Sequence, residues 1–305
     1  MFDVLVLGGV GVDTIVRVPS LAMPPGDNLT VGPILDYVAH SGSGVALGFH
    51  ALGLRTKLID LLGDDAQGAQ VLARYAAEGL DFTHLPAPHG TARAVNLVDD
   101  AGRRFSFFDG RHPAGSTLPP EFYLPFLEQA KHVHVATHRA RSAFHHAREC
   151  GITTSTDIHA WDGVSPSAME HAGQADLVFL SSEAAGERID ELMFAIQDKG
   201  VAQVVVATSG AAGCRVLTRD DHQVRRFPAV APQRPVVDSN GAGDAFSTAF
   251  MSRWFARRPV AECALAGAVS GAFACCAAGT HTELMTEPQL AQAMTSHGSA
   301  WPSVC

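Results

Sequence analysis

Short apolar runs recur along the chain and alternate with segments of helical apolar spacing. The runs are DVLVLGG (3–9), TKLIDLLG (56–63), HVHVAT (132–137), ITTSTDI (152–158), DLVFLS (176–181) and QVVVATSG (203–210). Each has the length and β-branched content of a buried strand. Between them the spacing predicts helices over 44–54, 66–79, 121–130, 141–149 and 182–199. Alternation of this kind predicts an α/β fold, a three-layer α/β/α sandwich whose central sheet is mostly parallel and carries helices on both faces.

Two stretches break the rhythm. TIVRVPSLAMPPGDNLTVGPILDYVAH (14–40) and TARAVNLVDDAGRRFSFFDGR (91–111) alternate like strands with no helix between, and the second has a turn at Asp99 to Gly102. Antiparallel pieces set into a parallel core tend to form a flap, so the two predict a small β lid over the site. No repeat or low-complexity linker divides the chain, and residues 1–305 read as one domain carrying that lid. The tail HGSAWPSVC (297–305) is expected to be loosely held.

Composition removes several classes. With 47% hydrophobic and 17% charged residues the chain lies in the globular range. A formal charge of -9 and no Lys/Arg block longer than a pair argue against a nucleic-acid partner. Six cysteines without a CxxC pair exclude a zinc ribbon and a dithiol motif, and fit a cytoplasmic location. The N-terminus lacks the basic region of a signal peptide, and the longest uncharged apolar stretch, 263–279, is too short for a membrane span.

The chemistry is concentrated in VVDSNGAGDAFSTAF (236–250). Val236 and Val237 read as a strand end and DSNGAG as a tight turn. Ala245, Phe246, Ala249, Phe250 and Trp254 read as the apolar stripe of a helix, which sets Gly241 and Gly243 at its N-terminus. Unpaired amides and the positive end of the helix dipole favour an anion there, and glycines let a phosphate come close. Asp244 is ill suited to binding that phosphate itself. It suits taking the proton of a hydroxyl that attacks the held phosphoryl group, although an acid in a first turn also simply stabilises a helix.

VVDSNGAGDAF resembles the signature of the ribokinase-like (PfkB) carbohydrate kinases, and the resemblance covers nearly the whole chain. LGGVGVDTIVRVP (7–19) is similar to the family's first strand with its substrate-binding acid, here Asp13. SGSGVALGFHALGLRTKLIDLLGDDAQG (41–68) resembles the first signature, and VVVATSGAAG (204–213) the strand and loop on the nucleotide side. The resemblance implies a ribokinase-like kinase that passes the γ-phosphoryl group of ATP to a primary hydroxyl of a sugar-like acceptor. It implies ATP and Mg2+, with a monovalent cation such as K+ near Asp238 in many members. Asp244 would be the base, and the amides of Gly241, Ala242 and Gly243 the anion hole. Asp13, His40, Gly42, Gly44 and Asn240 would face the acceptor. Thr208, Ser209, Gly210, Gly213, Ser181 and Glu183 would face ATP. The residues that hold the metal stay open, and family precedent admits a homodimer through the lid.

The sequence departs from the family in places that bear on the acceptor and the metal. Ala39 and His40 stand where paired glycines are usual, and Gly44 where an Asn is usual. Losing that amide removes a donor and an acceptor and is expected to open space for something bulkier than ribose or fructose. Monosaccharides and nucleosides are the usual acceptors; an oligosaccharide or a cyclitol-containing mimic such as acarbose is a third class. His40 is either a substrate contact or a polar residue at the helix entry.

On the metal side, Ser181 replaces the Asn of an Asn-x-x-Glu motif, and the acid is either absent, at Ala184, or supplied by Glu183 one place early. Asp157, with His159 in an Asn-like place, and Asp162 read either as phosphate or magnesium helpers or as turn residues. No single lid arginine among Arg93, Arg103, Arg104 and Arg111 is singled out for substrate. His132 and His134 share a strand face that permits zinc, but no ligand pattern completes it.

A dinucleotide fingerprint fails because Thr14 stands where the third glycine belongs. A P-loop fails because none of Lys57, Lys131 and Lys199 follows a glycine. The rival from another class is a non-catalytic sugar- or nucleoside-binding protein that keeps the fold. The altered 181–184 segment favours it, and the intact NGAGD opposes it.

Overall fold

A computed structural model describes residues 1–22, 24–100, 102–113, 115–298 and 301–302. Its strands are β1 (Val4–Leu7), β2 (Gly11–Val18), β3 (Leu35–Ala39), β4 (Thr56–Leu62), β5 (Asp81–Pro86), β6 (Arg93–Asp99), β7 (Arg104–Asp109), β8 (His132–Val135), β9 (Thr153–Asp157), β10 (Leu177–Ser181), β11 (Val204–Thr208), β12 (Cys214–Thr218) and β13 (Val224–Phe227). Its helices are α1 (Ser41–Ala51), α2 (Ala66–Glu78), α3 (Pro120–Leu127), α4 (Ser142–Glu149), α5 (Pro166–Ala172), α6 (Ile189–Lys199), α7 (Ala242–Phe255), α8 (Val260–Ala274) and α9 (Glu287–Gly298).

Among the described residues one sheet has nine strands in the order β13-β12-β11-β10-β9-β8-β1-β4-β5. The six pairings from β11 across to β5 are parallel, and only the two edge pairings, β11–β12 and β12–β13, are antiparallel, so β12 alone runs against the rest. The inner strands are buried on both faces, which is why they read as unbroken apolar runs. Alternation inside them still sorts side chains by face. Leu5 and Leu7 pack with Tyr123, Phe144, Met193 and Ile196 of α3, α4 and α6. Val4 and Val6 pack on the other side with Phe49, Tyr75, Phe250 and Cys263 of α1, α2, α7 and α8. The expected three-layer α/β/α architecture follows from this two-sided burial.

The second sheet, β3-β2-β6-β7, draws on both irregular stretches. β2 pairs parallel with β6, and the flanking pairs are antiparallel. Strand β7 is exposed along its whole length, Phe105, Phe107 and Phe108 being 55%, 57% and 70% exposed. Residue 101 of the β6–β7 turn lies outside the described residues; Gly102 N donates to Asp99 O at 2.8 Å.

Several boundaries differ from the sequence reading. α1 begins at Ser41, because its glycines at 42, 44 and 48 serve close packing and do not break the helix. α6 begins at Ile189 after a short 3-10 turn, Gly186–Arg188. Val236 and Val237 form no strand; they are 62% and 42% exposed, in a loop tied by Val237 N to Cys275 O at 2.8 Å. Of the tail expected to be loose, 299–300 and 303–305 lie outside the described residues. Trp301 is held: its ring stacks on Phe227 at 6.0 Å and its Nε1 donates to Ala261 O at 2.9 Å.

Candidate active site

The parallel strands all end on one side of the large sheet, where open α/β folds bind ligands. Register makes the ends adjacent: Ser181 pairs with Thr208, and Phe179 with Asp157. A cavity of about 640 Å3 lies over them, lined among others by Asp157, Ser181, Glu183, Thr208, Gly210 and Asp244. A second cavity of about 350 Å3 reaches under β6 and β7 and is lined by Asn96, Arg104, Phe108 and Arg139. The two share Asp13, His40, Ser41, Arg104 and His159. Asp13 thus stands between a large cleft and a smaller pocket, and Asp244 lines the large cleft.

Gly241 caps α7 at φ 77°, a left-handed conformation that suits glycine. First-turn amides have no acceptor within their helix and are free for an anion. A side chain at Gly243 would meet nothing within 4 Å, so its backbone faces open cleft. Gly241 and Gly243 line the cavity, whereas Ala242 does not and donates its N–H to Ser239 O at 3.3 Å. The expected three-amide hole is therefore corrected: Ala242 closes the turn.

Asp244 stands in the first turn of α7, and its Oδ2 accepts a 2.8 Å hydrogen bond from Nε2 of His281. His281 went unnoticed in the sequence. It follows α8 in an unremarkable GTHTE segment, and the packing of α8 on α7 helps bring it to Asp244. The structure also overturns the space expected at Gly44. A side chain there would collide with Nε2 of His281 and come within 2.7 Å of Asp244 Oδ2, so the imidazole fills the volume. Gly42 likewise serves packing: a side chain would collide with Gly8 O, and neither glycine lines a cavity.

Asp13 is 8% exposed and accepts from Thr280 Oγ1 at 3.3 Å. Nε2 of His40 lies 3.5 Å from its Oδ1. His40 has φ 70° and ψ 154°, a backbone region that essentially only glycine occupies, at a cost of about 1–3 kcal/mol. Gly11 makes room for the ring, since a side chain there would collide with it. Burial pushes the imidazole below its ordinary range while Asp13 pulls it back up. The ring lines both cavities, at the entry to α1.

Two arginines tie the smaller sheet to the loop before α7. Arg17 of β2 donates to Asp238 Oδ2 at 2.7 Å, and the same carboxylate accepts from Asn240 N at 2.8 Å and Gly279 N at 3.0 Å. Arg104 of β7 donates to Asn240 Oδ1 at 2.8 Å. Asn240 is 3% exposed and shapes the loop without lining either cavity. Arg139, also unnoticed in the sequence, donates to the buried Asp60 at 3.1 Å on the floor of the smaller cavity.

On the cleft side Ser209 Oγ accepts from Ser182 Oγ at 2.8 Å and from Arg215 Nη1 at 3.0 Å, which fixes the loop after β11. Gly213 is corrected to a packing role: a side chain there would collide with Phe227 O of β13. Asp157 accepts from His159 N at 2.7 Å. Burial pushes its carboxyl above the ordinary range, the His159 ring and amide oppose this, and the charge of Asp244 adds to it. His132 and His134 both bond to Ser155 Oγ at 2.8 Å, and no cluster of metal-ligating side chains occurs among the described residues.

Residues 1–287 match the profile described as pfkB family carbohydrate kinase, and the chain belongs to that family. It is an ATP-dependent phosphotransferase acting on a sugar-like acceptor. It is 46% identical over 275 residues to acarbose 7(IV)-phosphotransferase of Actinoplanes sp., covering 90% of this chain and 92% of that one. Fructoselysine 6-kinase of Escherichia coli (strain K12) is 30% identical over 238 residues, 76% of this chain and 88% of that one. Among solved structures, the microbiome-derived acarbose kinase Mak1, labelled with selenomethionine, is similar at TM-score 0.89 and 42% identity, covering 96% of this chain and 99% of the other.

Proposed function

We propose that the chain phosphorylates acarbose or a closely similar cyclitol-containing oligosaccharide. The observation that carries this reading is the 46% identity to acarbose 7(IV)-phosphotransferase across nearly both full lengths. The site is consistent with it. The acceptor pocket gathers Asp13, Asn96, Arg104 and Arg139, a hydroxyl-binding set, beside Asp244. In this reading an acceptor hydroxyl lies against Asp244, which takes its proton as the oxygen attacks the γ-phosphorus and ADP departs. The amides at Gly241 and Gly243 stabilise the charge on the transferred group. The four-stranded sheet acts as a lid on a single kinase domain, since Arg104 and Phe108 form part of the pocket wall.

Magnesium bound with ATP would supply neutralisation of the phosphate charge. Asp157 and Glu183 are the carboxylates facing the phosphate side, and Asp157 is a group whose charged form a cation would favour. A cytoplasmic location belongs to the same reading: Cys150, Cys214, Cys263, Cys275 and Cys276 are free, and among the described residues no helix is long and apolar enough to cross a membrane.

ADP release with Mg-ATP against acarbose, ribose, fructose and nucleosides tests the acceptor. Acarbose is expected to turn over fastest; ribose or a nucleoside outpacing it would sink the reading. Arg17 already places a guanidinium on Asp238, so replacing K+ by a bulky organic cation is expected to change turnover by less than about twofold. A strong requirement for K+ would refute that. The bare phenylalanines of β7 support a homodimer through the lid, for which sedimentation should give twice 32.1 kDa. A monomer at micromolar concentration would exclude it.

A further inference from the structure

Asp244 has two carboxylate oxygens, and the fold commits one of them. Its Oδ2 accepts from Nε2 of His281 at 2.8 Å, and the imidazole is only 3% exposed. Separate features of the chain serve that placement. His281 has φ 54°, uncommon for a residue with a side chain. Gly44 leaves room for the ring, as already described, and a side chain at Gly241 would meet its Cδ2 at 2.6 Å. Arg74 of α2 holds its carbonyl by a 3.1 Å bond. An apolar residue would fill the same hole without leaving Nδ1 buried and, among the described residues, unpartnered.

We propose that His281 is the positioning residue of Asp244: a neutral imidazole, with its proton on Nε2, fixes Oδ2 and presents Oδ1 to the acceptor hydroxyl. This rests on the reading of Asp244 as the base. An ionised carboxylate only accepts, so the proton of the bond belongs to Nε2. Nδ1 is then a bare acceptor, whereas an imidazolium would bury a second N–H facing no acceptor. The choice of side chain follows. Lysine or arginine would also grip the oxygen, but a full positive charge stabilises the carboxylate and weakens it as a base. A neutral N–H orients it with less loss of basicity.

Steady-state kinetics with Mg-ATP and acarbose, or the panel sugar that turns over fastest, test the role in His281→Ala, His281→Gln, Asp244→Asn and the Ala/Asn double variant. His281→Ala is expected to lower kcat about 10- to 100-fold, the scale of a misplaced catalytic group, with KM for ATP unchanged. His281→Gln, which keeps an N–H donor, should recover most of that loss. The double variant should be no slower than Asp244→Asn alone, because the histidine acts only through the carboxylate. If His281→Ala does not fold, His281→Phe fills the ring volume without the donor and replaces it.

Wild-type kcat in the Ala or Phe variant beside a slow Asp244→Asn overturns the positioning role and leaves the base in place. So does a folded Gln variant as slow as Ala. Wild-type turnover in Asp244→Asn overturns the base, and the positioning role with it.

Discussion

Asp244→Asn is expected to bind ATP with unchanged affinity and to lower kcat by about 10²- to 10⁴-fold, the usual contribution of a positioned general base. The substitution is nearly isosteric, and the amide oxygen can still accept from Nε2 of His281, so the 2.8 Å contact and the turn of α7 need not change. What disappears is the ability to take a proton from the acceptor. The helix-cap reading of Asp244 makes a different forecast. An acid in a first turn contributes through the dipole, by typically 0.3–1 kcal/mol, and its loss would lower the melting temperature slightly while sparing turnover. Rapid-quench measurement of the first turnover, with ATP binding and melting on the same sample, separates the two. An unchanged first-turnover rate would remove Asp244 from the chemistry.

The parts of this molecule legible in sequence are those whose signal is local. Val204 to Val206 are buried on both faces of the sheet and had to appear as an apolar run. The loop and first turn at 239–244 are contiguous, so their glycines and acid could be read together. Contacts joining distant segments were invisible. His281 meets Asp244 across 37 positions, and Arg17 meets Asp238 across 221.

Gly44 shows the limit most clearly. A sequence reports which side chain is missing, and the vacancy looked like room for a larger acceptor. Only the fold reveals that another residue has moved in. Strands β12 and β13 were missed for a related reason. They form the antiparallel edge of the sheet, where charged residues such as Arg225 and Arg226 blur the apolar pattern.

Stability should fall steeply as pH drops from about 6.5 toward 4, an effect large enough to unfold a domain of ordinary stability. Burial pushes His132 down to about 3, His134 to about 4 and His171 to about 3. Each folded pKa lies below the unfolded value of 6.5, so below that pH the unfolded chain binds more protons. The contribution of each ring is complete above the unfolded value and is lost as pH falls, by about 1.4 kcal/mol per pH unit. Three such groups together give a slope of about 4 kcal/mol per unit once all are in the window.

Asp3, which Arg55 holds below the carboxylate range, has the same sign but acts only below its ordinary value of 3.8. Asp157 has the opposite sign: its raised folded value makes it costly when charged, and protonation relieves part of that cost as pH falls. The loss between pH 6.5 and 5 therefore belongs to the histidines. Melting curves at pH 7.5, 6.5, 5.5 and 4.5 should show it, and the double variant His132→Gln/His134→Gln should flatten the slope even if it melts lower at neutral pH. A melting temperature constant from pH 7.5 to 5 would mean that these rings are hydrated and protonate without unfolding the sheet.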